Sequence, residues 1–153
     1  MTERYHGRVA IVTGGTTGIG RGIVERLVGE GASVVTCARN APESALPEGA
    51  SFIAADITDE ASVSGVIDAT VERYGRIDVV VANAGGANIG PWPDEPFERW
   101  RELIDINLHG TLCGLPGEQG WDRRTRKASR RPRRRAWAAS QCGASGAHPD
   151  REV

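Results

Sequence analysis

The sequence predicts an α/β protein, a doubly wound parallel sheet of which the chain spells out the first half. Three observations carry that expectation. Apolar, β-branched runs alternate with amphipathic stretches from Arg8 to about Leu112, and strands alternating with helices imply parallel strands joined by right-handed crossovers. The first run breaks into a threonine and closely spaced glycines before an amphipathic stretch begins. The fourth run is apolar throughout after Asp78, as a strand covered on both faces must be.

Taken in order, Arg8 to Thr13 reads as a buried strand. Ile19, Ile23, Leu27 and Val28 recur at helical spacing, so Gly18 to Glu30 is a helix, closed by Gly29 and Gly31. Ser33 to Cys37 is a second strand, and Asn40 to Gly49, with two prolines, a loop. Phe52 to Ala55 makes a third strand ending at Asp56. Thr58 is the expected N-cap of a helix whose buried face is Val63, Val66, Ile67, Val71 and Tyr74, and which stops at Gly75. Ile77 to Ala82 is the fourth strand, and Gly85 to Pro96 a glycine- and proline-rich loop. Phe97 to about Leu112 reads as one helix with Trp100, Leu103, Ile104 and Leu108 on its buried side. The sheet order expected is 3-2-1-4, with ligand at the carboxyl ends of the strands beside the first turn.

That turn is Thr13-Gly14-Gly15-Thr16-Thr17-Gly18-Ile19-Gly20. Glycines there let backbone approach a pyrophosphate with no Cβ in the way. The free N–H groups and dipole of the new helix favour the negative charge. A bare glycine pattern is a weak signal, but one set between a strong strand and a strong helix marks a Rossmann-like dinucleotide fold. The bland alternative is a glycine-rich turn with no ligand.

At 153 residues the chain has the length of one domain, yet its net charge of −1 averages two unlike segments. Residues 1–114 hold 9 basic and 16 acidic side chains, a balance of −7; residues 115–153 hold 10 and 4, a balance of +6. The domain reading follows that shift: 1–114 a dinucleotide-binding unit, 115–153 an arginine-rich tail. Cys37, Cys113 and Cys142 are odd in number and lack metal-ligand spacing, so reduced thiols, no metal and a cytoplasmic setting are expected. No run is long and apolar enough for a membrane span or a signal peptide, so no membrane partner is expected.

Four stretches together resemble the short-chain dehydrogenase/reductase (SDR) family. Thr13 to Gly20 is similar to its T-G-x-x-x-G-x-G cofactor turn. Asp56, after the third strand, matches the aspartate that meets the adenine amine, with Ile57 beside it. Asn83-Ala84-Gly85-Gly86 matches the N-A-G-G signature beside the cofactor. Asn107 matches the helix asparagine that completes the catalytic tetrad through a water. The resemblance covers residues 5 to about 112. It implies Thr13, Gly14, Thr16, Thr17, Gly18, Ile19, Gly20, Arg39, Asp56, Ile57, Asn83, Ala84 and Gly85 as cofactor residues. It also implies hydride transfer between a nicotinamide and a small carbonyl or alcohol substrate, and a homo-oligomer, which an incomplete fold is not expected to form.

The second strand ends Thr36-Cys37-Ala38-Arg39-Asn40. An acidic side chain there would accept from a ribose 2′-hydroxyl, whereas an arginine would pair with a 2′-phosphate. Ala38 stands where NAD-type members of the family carry Asp, and Arg39 follows it, which favours NADP(H) over NAD(H). The alternative is that Arg39 is a solvated loop residue.

The resemblance then stops. The family's chemistry needs a tyrosine whose phenol, titrating near ~10, is drawn toward neutrality by a lysine four residues on, and a serine that polarises the substrate oxygen. Here the tyrosines are Tyr5 and Tyr74, the one lysine is Lys127, and Ser129, Ser140 and Ser145 sit in no strand-like context. Asn107 is the one tetrad member present, so the chain is expected to be catalytically inactive. The substrate pocket is not readable, and Ile89, Trp92 and Trp100 are read as packing.

Two readings compete for residues 115–153. One is a basic arm for nucleic acid; the other, which we favour, is translation out of register. Joining the last two bases of each codon to the first of the next, Leu115 permits Tyr, Glu118 gives Asn or Ser, and Gln119 gives Lys or Arg, a Y-x-x-S-K at the required spacing. Trp121 then forces Gly, and Asp122 gives Ile or Thr. Ser140 to Asp150 permits V-N-A-V-R-P-G-P-I-P-T, similar to the family's V-N-x-V-x-P-G. The tightly constrained codons of Gln119, Trp121, Asp122, Gln141 and Cys142 all agree. Loss of the serine strand near codons 112–115 with a change of frame would produce both, and eighteen Arg to one Lys is what GC-rich DNA yields in a wrong frame. Nucleic acid is therefore not an expected partner. So few aliphatic side chains predict a disordered tail, and Val79-Val80-Val81 would be left as an unpaired apolar edge.

Overall fold

The structure, a computed structural model, describes residues 3–86, 90, 95–114 and 136–139. Its strands are β1 (Val9–Thr13), β2 (Ser33–Ala38), β3 (Ala50–Ala54), β4 (Val79–Ala82) and β5 (Ala136–Ala139). Its helices are α1 (Gly18–Gly29), α2 (Glu60–Tyr74), α3 (Phe97–Ile104) and α4 (Gly110–Gly114), the last two joined by a π-helical turn, Asp105–His109. The sheet is parallel, with the expected order 3-2-1-4 and β5 added beside β4.

Alternation along the strands builds two cores. Ala10, Val12, Val34, Val79 and Val81 face Val24 and Leu27 of α1. Ile11, Val35, Cys37 and Val80 face the other way, toward Val66 of α2. Both faces being covered, β1 and β4 are buried at every position, which is why they read as unbroken apolar runs. At the amino ends of the strands, Asp78 accepts from the Val9 amide at 3.0 Å and pairs with Arg76 and Arg8. Burial alone would raise its pKa, but these donors hold it below the ordinary carboxylate value.

Three expectations are corrected. β3 starts at Ala50 because Ala50 pairs with Val34 of β2. The cap of α2 is Asp59, not Thr58: the Asp59 carboxylate accepts from the Ala61 and Ser62 amides, while Thr58 is turned back onto Asp56. The helix expected over Phe97–Leu112 is broken by the π turn, which widens the spiral and shifts the phase of everything after it. Leu108, expected inside, is 53% exposed, and Gly110 is buried instead; Ile104, just before the turn and also expected inside, is 51% exposed.

The edge of β4 is not open. Val79 to Ala82 pair with Ala136 to Ala139 in parallel register. An unpaired row of backbone donors and acceptors recruits a partner strand, and Ala136-Trp137-Ala138-Ala139 is an uncharged run directly after Arg133-Arg134-Arg135. These four residues are thus a strand where the sequence predicts disorder. The remainder of 115–153, with Ile89 and Trp92, lies outside the described residues. Among the described residues no helix is long and apolar enough to cross a membrane, and no group of His, Cys, Asp and Glu could hold a metal ion.

Candidate functional site

The carboxyl ends of β1 and β4 are tied by one hydroxyl. Thr13 Oγ1 accepts from the backbone amides of both Asn83 and Ala84 at 3.0 Å. Asn83 returns the link, its Nδ2 donating to the Thr13 carbonyl at 3.0 Å and the Gly14 carbonyl at 3.2 Å. The Gly14 amide donates to the Cys37 carbonyl of β2 at 2.7 Å. Three strand ends are therefore fastened around the glycine turn before any ligand arrives.

Two glycines make this possible. Gly14 has φ +67°, and a Cβ there would lie 2.8 Å from the Ala84 Cα. A Cβ on Gly20 would strike both the Gly14 carbonyl oxygen and Asn83 Nδ2. Only hydrogen fits at either place. Thr17 is the N-cap of α1, yet its side chain makes no capping hydrogen bond, and the first turn holds no acidic residue. The amides at this helix start are thus left for an anion. A close-packed cradle and an uncapped helix dipole fit a pyrophosphate.

A cleft of about 890 Å³ opens beside the turn, in the size range of small-molecule sites. It is lined by Gly14, Ala84 and Gly85 at the strand ends, by Arg39, Asp56 and Ile57, and by residues of α3 and the π turn. Arg39 is exposed and, among the described residues, makes no hydrogen bond or salt bridge. Asp56 Oδ1 accepts from the Thr58 amide and hydroxyl at 2.9 and 2.7 Å. Those two bonds, then the charge of Arg39, lower the pKa of Asp56 despite some desolvation, so it stands ionised. A carboxylate with one oxygen committed and one spare suits an adenine amine.

Asn107 lies on the π turn. Its Nδ2 donates to the Gly86 carbonyl at 2.7 Å and the Leu103 carbonyl at 2.9 Å, and its Oδ1 accepts from the Gly86 amide at 3.3 Å. The side chain thereby staples the helix break to the Asn83–Gly86 strand end. Cys37 is no nucleophile: burial pushes its thiol up to about 11.

The structure brings Gly14, Arg39, Asp56, Ile57, Ala84 and Gly85 to one cleft, with Thr13 and Asn83 fastening the strand ends beside it. Thr16 and Thr17 lie on the turn, Gly18 and Gly20 on the start of α1, and none of the four lines the cleft wall. Ile19 does not face the cleft; it is 55% exposed and lines a smaller hollow with Arg4, Tyr5 and Arg26. Arg99, Glu102, Leu103, Ile106 and His109 also wall the main cleft. Leu103 lies on the side the sequence predicts to be buried; Ile106 and His109 escape sequence reasoning, since they sit on the π turn, where a regular spiral no longer sets the face.

Comparison with known proteins gives the same picture. The model of the short chain dehydrogenase family matches residues 8–115. The chain is 43% identical over 117 residues to the L-fucose dehydrogenase of Bos taurus, an alignment covering 72% of this chain and 43% of that protein. It is 41% identical over 121 residues to the NADP-dependent (R)-specific alcohol dehydrogenase of Lentilactobacillus kefiri, covering 74% and 48%. Among solved structures, the ligand-free aldohexose dehydrogenase of Thermoplasma acidophilum aligns with TM-score 0.72 and 32% identity, over 86% of this chain and 49% of that one. The 3-ketoacyl-(acyl-carrier-protein) reductase of Brucella melitensis, complexed with NADH, aligns with TM-score 0.66 and 29% identity, over 72% and 48%. With the parallel sheet in the order 3-2-1-4 and a family model matched over residues 8–115, this chain belongs to the short-chain dehydrogenases. It spans about half the length of the relatives it matches.

Proposed function

We propose that this chain binds NADP(H) in the cleft between the glycine turn and α3 and does not turn substrate over. The supporting observation is the combination of an exposed Arg39, free of hydrogen bonds and salt bridges among the described residues, with an ionised Asp56 in a cleft that opens beside the glycine turn and the uncapped start of α1. Such a guanidinium offers a bidentate partner to a 2′-phosphate. Asp56 accepts the adenine amine, and the turn from Gly14 to Gly20 takes the pyrophosphate. A nicotinamide cofactor, when bound, supplies or accepts the hydride. The chain's own residues hold it, but no tyrosine–lysine pair stands downstream of Asn107 to move the accompanying proton.

Residues 115–153 are read as the family's catalytic and following segments in a shifted frame. The restored protein would be a short-chain oxidoreductase acting on a small carbonyl or alcohol. Two experiments test the reading. The full chain with NADPH and a panel of ketones, or NADP and alcohols, should show no change in nicotinamide absorbance; clear turnover would refute inactivity. The coding DNA, read one base on from codon 115, should run through both Y-x-x-S-K and V-N-A-V-R-P-G; a stop or a different sequence would refute the shifted frame.

A further inference from the structure

α4 begins at Gly110, a buried residue that follows the π turn directly. A Cβ at this position would lie 2.7 Å from Ile57 Cδ1, 2.9 Å from Ile57 Cγ1 and 3.4 Å from the Ile57 carbonyl oxygen. Unstrained carbon–carbon contacts fall near ~3.5–4.0 Å, so a side chain on residue 110 would have to displace Ile57 from where it now packs. Ile57 is 8% exposed, and the face it does show lines the cleft. Its backbone neighbours are Asp56, the proposed adenine acceptor, and Thr58, whose amide and hydroxyl hold Asp56 Oδ1. A larger residue 110 leaves Ile57 two ways to yield. Its side chain can swing forward into the cleft, or the whole segment can lift and carry Asp56 with it. Both alter the same end of the site.

We infer that Gly110 is a positioning residue for the adenine end of the cleft, acting through Ile57: the missing Cβ sets how far the Asp56–Thr58 segment stands from α4. The inference rests on the dinucleotide reading above. It also couples that segment to Asn107, because Gly110 and Asn107 belong to one continuous stretch in which Thr111 Oγ1 donates to the Asn107 carbonyl at 2.8 Å.

The test titrates the full chain, Gly110→Ala, and Gly110→Ala/Ile57→Val with NADPH and with 2′,5′-ADP, which carries the adenine end but no nicotinamide. Gly110→Ala should weaken both ligands about tenfold, the scale of overpacking by one methyl group, and Ile57→Val, by removing Cδ1, should restore both to within about threefold. Should Gly110→Ala fail to fold, the double variant must fold and bind; a double variant that does neither overturns the inference. Unchanged binding by Gly110→Ala overturns it, as does a loss for NADPH that spares 2′,5′-ADP. A wild-type chain that binds neither ligand overturns the dinucleotide reading and this inference together, whereas the other failures leave that reading standing.

Discussion

Two charged residues answer different questions about this molecule. Arg39 is exposed at the cleft and makes no hydrogen bond or salt bridge among the described residues. Arg39→Ala should weaken NADPH binding roughly tenfold or more, the scale of a lost charge-assisted hydrogen bond, and leave NADH binding unchanged. Isothermal titration with both cofactors checks this, and an equal loss for both would remove Arg39 from the 2′-phosphate role. Glu30 is the opposite case, buried beneath two arginines. It accepts from Arg4 at 2.7 and 2.5 Å and pairs with Arg26. Those hydrogen bonds, Arg4's first, lower its pKa from 4.5 to about 2. The folded state therefore binds fewer protons than the unfolded chain between these values. The stabilisation is complete above pH 4.5 and lost as pH falls through 2. Glu30→Gln should flatten the acid limb of the urea midpoint against pH; parallel curves would show that the Glu30 cluster contributes nothing to acid sensitivity.

At the scale of elements, legibility follows covering. β1, β2 and β4 and the inner faces of α1 and α2 are readable because a sheet packed on both sides demands unbroken apolar strands and a helix demands one stripe. The cap of α2 is ambiguous by one residue in the sequence, since Thr58 and Asp59 are both good caps and only the hydrogen bonds of Asp56 decide between them. The helix after Phe97 misleads. Its apolar positions fit a regular spiral, whereas the π turn from Asp105 to His109 gives up that regularity to bring Asn107 to Gly86. Phe97, Ile104, Leu108 and Leu112 are exposed, the last of them beyond the turn. Leu108→Lys should change stability by less than about 0.5 kcal/mol, while Val24→Ala, at a fully buried position, should cost about 2 kcal/mol. Chemical denaturation separates the two; a large loss from Leu108→Lys would mean that residue packs inside. Along β5, successive residues point their amides to opposite sides, so one of Trp137 and Ala138 must face β4. Replacing both with proline should reopen the edge and raise light scattering with protein concentration. Scattering unchanged from wild type would show that β5 does not protect β4.

For the whole molecule, the proposed shift of frame gives the acidic first 114 residues and the basic 39 that follow separate origins. In that reading the first segment keeps the glycine cradle, the proposed adenine acceptor Asp56 and Asn107, the match to the family's asparagine. The second would hold the remainder in the wrong register, so that a nucleotide site outlives the proton-transfer chemistry it served. The sequence carries the cradle plainly, because Gly14 and Gly20 are dictated by contacts shorter than any side chain allows. It carries the far wall of the cleft in part: Leu103 fits the predicted helical stripe, whereas Ile106 and His109 sit on a backbone irregularity that no periodicity announces. The most direct measurement is an equilibrium titration of the full chain with NADPH and, separately, with NADH. Saturable one-to-one binding, tighter for NADPH, is the expected result; no binding, or NADH bound equally or more tightly, would contradict it.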